Sequence, residues 1–266
     1  MPAHTSHPDL LDSSKSGGRA LEFKVLGALD VVADGSTVVL GGRRQRVLLG
    51  LLIIRANEVV STDQLIDALW GERPPRTARA SLHNVVSELR SRLGAEVLER
   101  RWPGYVLRVE PDQVDALRFQ QLFRGAMTEA PSERASTLEE ALSLWHGTAF
   151  LDLLYEDCAQ IEARRLEELR VAALEELAAA RLASGVTAEV VADLRALVDR
   201  HPYRENLRRL LMLALHRSGR AAEAFGTDAD WRETLGHEAG AEPGRSLGGI
   251  ATAIAVDRLE PDEVLA

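Results

Sequence analysis

Short runs with apolar residues at alternate positions open the ordered-looking part of the chain: Leu21–Leu26, Leu29–Ala33 and Thr37–Leu40, separated by Gly27 and by Asp34-Gly35. Period-two alternation around an Asp-Gly pair predicts a small antiparallel sheet with a hairpin. Gly41-Gly42 ends it. From Arg43 to Ala56 the pattern becomes helical, and past Val47 nearly every side is apolar, so this helix is expected to be deeply buried. Asn57 stands where a helix C′ residue belongs. Ser61-Thr62-Asp63-Gln64 reads as a capping box that opens a helix running to about Trp70. Gly71-Glu72-Arg73-Pro74-Pro75 must break that helix. A third helix is predicted from about Thr77 to Leu93, stopping at Gly94, followed by strands Glu96–Arg101 and Tyr105–Val109 around Trp102-Pro103-Gly104.

Three helices and then a hairpin is the order of a winged helix-turn-helix. Beyond it the periodicity is helical throughout: Val114 to Ala130, Ser132 to Trp145, and a long run from Glu156 to Ser184 in which Leu166, Leu169, Ala173, Leu177 and Ala180 step by three and four. Leu182-Ala-Ser-Gly185 and His216-Arg-Ser-Gly219 are similar segments 34 residues apart, the period of a tetratricopeptide helix pair, with His201-Pro202 between the helices of the unit. The expected fold is mainly α with small β-sheets: an N-terminal winged helix-turn-helix over 21–110 and an all-α tetratricopeptide-like domain over 111–258. Residues 1–20 and 259–266 are expected to be tails, the first rich in Ser, Gly, Pro and His with little to bury.

Composition narrows the function classes. The 266 residues are 45% hydrophobic and 27% charged, enough to bury a core, and the net charge of −9 argues against a uniformly basic nucleic-acid coat or a polybasic membrane binder. That charge is uneven. Residues 21–110 carry 13 Lys/Arg against 11 Asp/Glu, whereas residues 111–266 carry 17 against 28, as expected when only the first half meets an anion. The single cysteine, Cys158, excludes an intramolecular disulfide framework and a multi-Cys zinc module, and is read as a packing residue. No apolar run reaches the ~18 residues of a membrane helix, and Met1–Ala20 lacks the apolar core of a secretory signal, so a cytoplasmic protein with no membrane partner is expected. There is no Gly-rich phosphate loop, H-E-x-x-H or G-x-S-x-G motif, and the seven His show no metal spacing. No catalytic, metal or cofactor site is expected.

The third helix carries the candidate chemistry. At about 100° per residue, Ala78, Leu82, Val85, Val86, Leu89 and Leu93 form a core face. Arg76, Ala80, His83, Asn84, Ser87 and Ser91 centre on the opposite side, with Arg79 and Arg90 on one flank and Glu88 on the other. A small polar centre edged by Arg suits base edges with phosphates beside them, although an ordinary solvated face would also be polar. Arg43, Arg44 and Arg46 occupy the first turn of the first helix, where the macrodipole disfavours cations; an anionic partner would offset that, or the turn is simply solvated. Arg100 and Arg101 flank the wing turn, where an Arg can enter a minor groove. Trp102 is read first as cover for Tyr105 and second as a stacking group for a sugar.

The order and wording of these segments resemble the Streptomyces antibiotic regulatory protein family, activators with an OmpR/PhoB-type winged helix followed by a bacterial transcriptional activator domain. The resemblance rests on Phe23-Lys-Val-Leu-Gly27, Leu40-Gly-Gly-Arg-Arg-Gln-Arg46, Gln64-Leu-Ile-Asp-Ala-Leu-Trp-Gly71, Leu89-Arg90 and Pro103-Gly-Tyr105. It continues through Leu166-Glu-Glu-Leu-Arg170, His201-Pro202, Leu211-Met-Leu-Ala-Leu215 and Glu242-Pro-Gly244. It implies binding to direct repeats near a promoter −35 element, recruitment of RNA polymerase, and control of a secondary-metabolite (antibiotic) gene cluster; a single winged helix with a separate helical domain able to mediate contact adds the expectation of a homodimer on DNA. It implies that Arg79, His83, Asn84, Ser87 and Arg90 read or clamp the major groove and that Arg101 approaches the minor groove. Gly71–Pro75, with Glu72 and Arg73 at its tip, would face polymerase. Two features depart from the family pattern: Glu88 stands where a basic residue is common, and Phe225–Gly240 lacks the usual Tyr- and Arg-rich helix, predicting a weak last helix. The alternatives are a helical-repeat adaptor that binds only protein, and a repressor on the same scaffold.

Overall fold

The structure, a computed structural model, describes residues 20–238, with side chains through Glu233. Residues 1–19 of the expected first tail, the Glu242-Pro-Gly244 motif and the expected tail at 259–266 lie outside the described residues.

Strands β1 (Leu21–Lys24), β2 (Asp30–Ala33) and β3 (Ser36–Thr37) form an antiparallel sheet in that order, with Phe23 opposite Val31 and Val32 opposite Thr37. Leu21, Phe23, Val31 and Ala33 face the core, as the alternation requires. Asp34 and Gly35 both have positive φ (50° and 78°), which gives the β2–β3 hairpin the I′-like turn that matches strand twist. Helix α1 (Arg43–Ile54) buries Val47, Leu48, Leu49, Leu52 and Ile53. Helix α2 (Thr62–Trp70) begins with the predicted box: Ser61 Oγ accepts from the Gln64 N–H at 3.2 Å, and Gln64 Oε1 accepts from the Ser61 N–H at 3.0 Å. Helix α3 (Ala78–Leu93) follows an exposed loop and ends at Gly94. A second sheet has the order β4-β6-β5, from β4 (Val60–Ser61), β5 (Leu98–Arg101) and β6 (Gly104–Leu107).

The helical part comprises α4 (Asp115–Ala126), α5 (Pro131–Ser143), α6 (Asp157–Ala183), α7 (Ala188–Arg200), α8 (Glu205–Arg217) and α9 (Ala221–Glu238). Helices α6 and α8 end 34 residues apart, each followed by a short turn and another helix, which is the repeat read from sequence. The last helix overturns an expectation. Despite Gly226 and the polar run after it, α9 is helical through Glu238, and Trp231 is only 2% exposed in the core beside Ala224. The Arg208 guanidinium lies 4.5 Å from the Trp231 ring centre and donates to the Pro202 carbonyl, joining α9, α8 and the His201-Pro202 turn. A buried aromatic anchor outweighs the low helix propensity around it.

The apolar core does not divide at residue 110. One continuous cluster runs from Leu21 to Leu177, joining the first sheet and α1–α3 to α4, α5 and the first part of α6; a second, from Val171 to Trp231, fills α7–α9. Backbone pairing reinforces the join. The N–H groups of His146, Phe150 and Leu151 donate to the carbonyls of Leu26, Val25 and Gly27 at 2.8–3.0 Å. The Asp115 carboxylate accepts from the N–H groups of Val25, Leu26 and Ala116. Burial outweighs these donors and lifts the Asp115 carboxyl to about 6.

Candidate nucleic-acid interface

Helix α3 presents the predicted face. Ala78, Leu82, Val86, Leu89 and Leu93 are buried, with Val85 half-buried, while Arg79, Ala80, His83, Asn84, Ser87 and Ser91 are exposed; Arg76, just before the helix, is exposed as well. Arg79 reaches Asp63 at the start of α2 across 2.9 Å, with both side chains largely in water. Such a pair is weak and separable, so the guanidinium can change partner at little cost. His83 sits edge-on to Tyr105, ring centres 6.4 Å apart, and so ties the middle of α3 to the wing.

Arg90 is held more firmly than a simple clamping side chain. Its Nε donates to the Leu98 carbonyl at 2.7 Å and its guanidinium lies 5.9 Å from the Tyr105 ring centre. It braces α3 against the wing, leaving only its terminal nitrogens for an anion. Glu88 accepts a hydrogen bond from the buried side chain of Gln45. That contact gives the acidic residue a place in the fold, linking α3 to α1.

The basic first turn of α1 has anionic partners within the chain. Arg43 pairs bidentately with Glu156, at 2.5 and 2.7 Å. Arg46 binds Asp152 at 2.5 Å and also donates to the Leu29 carbonyl at 2.7 Å. An external anion is therefore not needed to offset the unfavourable dipole at these two positions. Arg44 is placed differently, exposed and 5.4 Å from the Trp70 ring centre.

The wing corrects a second expectation. Trp102 does not cover Tyr105: its side chain is 95% exposed, whereas Tyr105 is buried beneath other groups. Arg101 and Arg108 lie 3.3 and 3.5 Å from the same Glu99 oxygen, and Arg100, opposite Tyr105 in the β5–β6 ladder, is exposed. The wing tip is fixed to α2, because the Pro103 carbonyl accepts from both the backbone N–H and the hydroxyl of Thr62. A Cβ on Gly104 would come within 1.8 Å of the Val60 carbonyl oxygen, so this close β4–β6 approach requires glycine.

The Gly71–Pro75 loop is wholly exposed, Glu72 and Arg73 included. It borders an open groove of about 810 Å³ whose walls include Asp67, Trp70 and Glu72 on one side and Tyr155, Asp157 and Cys158 on the other. No local pattern announces this groove, because its two walls are some 85 residues apart in the chain. Burial, with Glu156 and Asp157 nearby, pushes the Cys158 thiol up, away from the thiolate a nucleophile needs. No helix among the described residues is long and apolar enough to cross a membrane.

Comparison with known proteins agrees with this architecture. Residues 36–107 match the model for the C-terminal domain of transcriptional regulatory proteins, and residues 114–255 match the bacterial transcriptional activator domain. The chain is 39% identical over 229 residues to the regulatory protein AfsR of Streptomyces coelicolor, covering 84% of this chain but only 23% of AfsR. It is 33% identical over 262 residues to the regulatory protein DnrI of Streptomyces peucetius, covering 91% of this chain and 96% of DnrI. A solved structure of Mycobacterium tuberculosis EmbR, in complex with a low-affinity phosphopeptide, superposes with a TM-score of 0.89 at 34% identity, covering 93% of this chain and 68% of that one. With its winged helix, its helical domain and a relative matched over nearly its whole length, the chain belongs to the Streptomyces antibiotic regulatory protein family.

Proposed function

We propose that this protein is a sequence-specific, non-catalytic DNA-binding activator of transcription acting in the cytoplasm at the nucleoid, and that it works without a cofactor. The observation that carries this reading is the exposed face of α3: small polar side chains at the centre, Arg76 and Arg79 at the near end, and a wing fixed beside it. Asn84 and His83 have the donor and acceptor groups to read base edges, and Ser87 sits one turn further along the helix. Arg76, Arg79, Arg101 and the free nitrogens of Arg90 supply phosphate contacts. Arg44 belongs to the same set as a longer-range positive charge.

Two copies bind direct repeats near the −35 element as a homodimer formed on DNA, and the Gly71–Pro75 loop, through Glu72 and Arg73, offers RNA polymerase a contact that does not hold DNA. The target is a secondary-metabolite gene cluster, the class of target that the family resemblance implies. Footprinting on the promoters beside the protein's own gene locates the repeats. Inserting half a helical turn, about 5 bp, between them rotates one copy to the opposite face of the duplex and should abolish cooperative binding and activation. Unchanged cooperativity after that insertion would overturn the paired-repeat reading.

A further inference from the structure

Each of the other three tryptophans lies under a guanidinium: Trp70 under Arg44, Trp145 under Arg170 and Trp231 under Arg208. Trp70 is half-buried and the other two are buried. Trp102 has neither cover nor a guanidinium over its ring among the described residues. Yet its mounting is rigid. The next residue's carbonyl is held twice by Thr62, Gly104 is pressed against Val60 and Ser61, and the β5–β6 ladder runs up to the turn. An apolar ring held out in water on a fixed base is pre-organised for a partner, since little conformational freedom remains to be lost on contact.

The surroundings define the partner. Arg100 and Arg101 are exposed immediately before the ring. Thr62, which grips the tip, adjoins Asp63, the exposed partner of Arg79. Tyr105, three residues on, touches His83 and lies near Arg90. The ring therefore stands at the tip of a wing that packs against α3 and is pinned to the start of α2, with positive charge beside it. An aromatic ring among arginines fits a polyanion that has apolar edges between its charges, and duplex DNA, with deoxyribose between phosphates, is such a partner.

We propose that Trp102 is the apolar contact of the wing, packing its indole against the sugars that wall the minor groove while Arg100 and Arg101 meet the flanking phosphates. This rests on the DNA-binding reading above and adds a residue to it. The test uses the full chain and a labelled 30-bp duplex of mixed sequence, titrated by fluorescence anisotropy at several salt concentrations. W102A should weaken binding about tenfold without changing the slope of log affinity against log salt, because no charge is removed. W102F should recover most of the loss, whereas R101A should lower the slope by about one. Acrylamide should quench the Trp102 emission, obtained as wild type minus W102F, in the free protein but not in the complex. The ring lies outside the core, so thermal melting of W102A serves as a check that the fold is intact. A W102A chain that binds the duplex as tightly as wild type overturns the proposal and leaves the ring to a protein partner. If wild type itself fails to bind duplex at low salt, the DNA-binding reading falls and this proposal falls with it.

Discussion

Asn84 stands near the centre of the exposed face of α3, with neither charge nor apolar surface to recommend it for anything but hydrogen bonding. An amide there matches the paired donor and acceptor of an adenine edge. Asn84→Ala should therefore change base preference at one position of the repeat, by about 1–3 kcal/mol, and leave the salt dependence alone. Selection of bound sites from a random duplex pool, compared with wild type, reads this directly. The polar face itself was legible from sequence, because the 100° step separates it from the leucines without help from the rest of the chain. The basic turn of α1 was legible only as an anomaly. Its true partners, Asp152 and Glu156, lie more than 100 residues away, beyond what local pattern can reach. Local pattern puts Trp102 over Tyr105, because a tryptophan beside a tyrosine normally packs; its exposure follows from where the turn directs it.

At the scale of elements, the wing depends on one close backbone approach. Gly104→Ala should push β6 off β4, detach the Thr62–Pro103 contact and weaken DNA binding together with stability. A loss of about 1–3 kcal/mol in urea unfolding, the usual range for steric overpacking, is expected. The first turn of α4, which carries Asp115, makes a different prediction. Its carboxyl titrates at about 6 in the fold, above its ordinary value of 3.8, so the folded state favours the protonated form. Its contribution to stability is fullest below pH 4 and diminishes as pH rises towards 6 and beyond. Asp115→Asn places an amide NH₂ against at least one backbone donor and should destabilise by about 1–3 kcal/mol. The wild-type lead over this variant should be larger at pH 5 than at pH 7.5 in thermal melts. A lead that grew with pH would show that the three backbone N–H donors outweigh burial. Most element boundaries were visible in the capping box, the Asp-Gly turn and the proline breaks. The last helix was not, since Trp231, buried beside Ala224, anchors a stretch whose local propensity points the other way.

For the whole molecule, the continuity of the core from Leu21 to Leu177 means that the winged helix is not an independent bead. Val25 and Leu26 are fully buried, and the carbonyls of Val25, Leu26 and Gly27 are bound by residues 146–151. A fragment of residues 20–110 should melt well below the intact chain. Losing about 2 kcal/mol would shift a domain of this size by roughly 8–16 °C, which circular dichroism resolves easily. The join was invisible in sequence because charge and periodicity change near residue 110 while the packing does not.

Helix α6 belongs to both cores, with Ala159, Ala163, Leu166, Ala173 and Leu177 in the one beneath the winged helix and Val171, Ala178 and Leu182 in the one among α7–α9. Its 27 residues make a rod about 40 Å long. Such a rod is a lever whose short arm is pinned at Glu156 by Arg43. A tilt of about 5° at the pinned end moves the far end by about 3.5 Å over that length. A load applied to α7–α9 would thus be felt where α1 begins, and a change in how α1 is seated would swing the distant helices like a pointer.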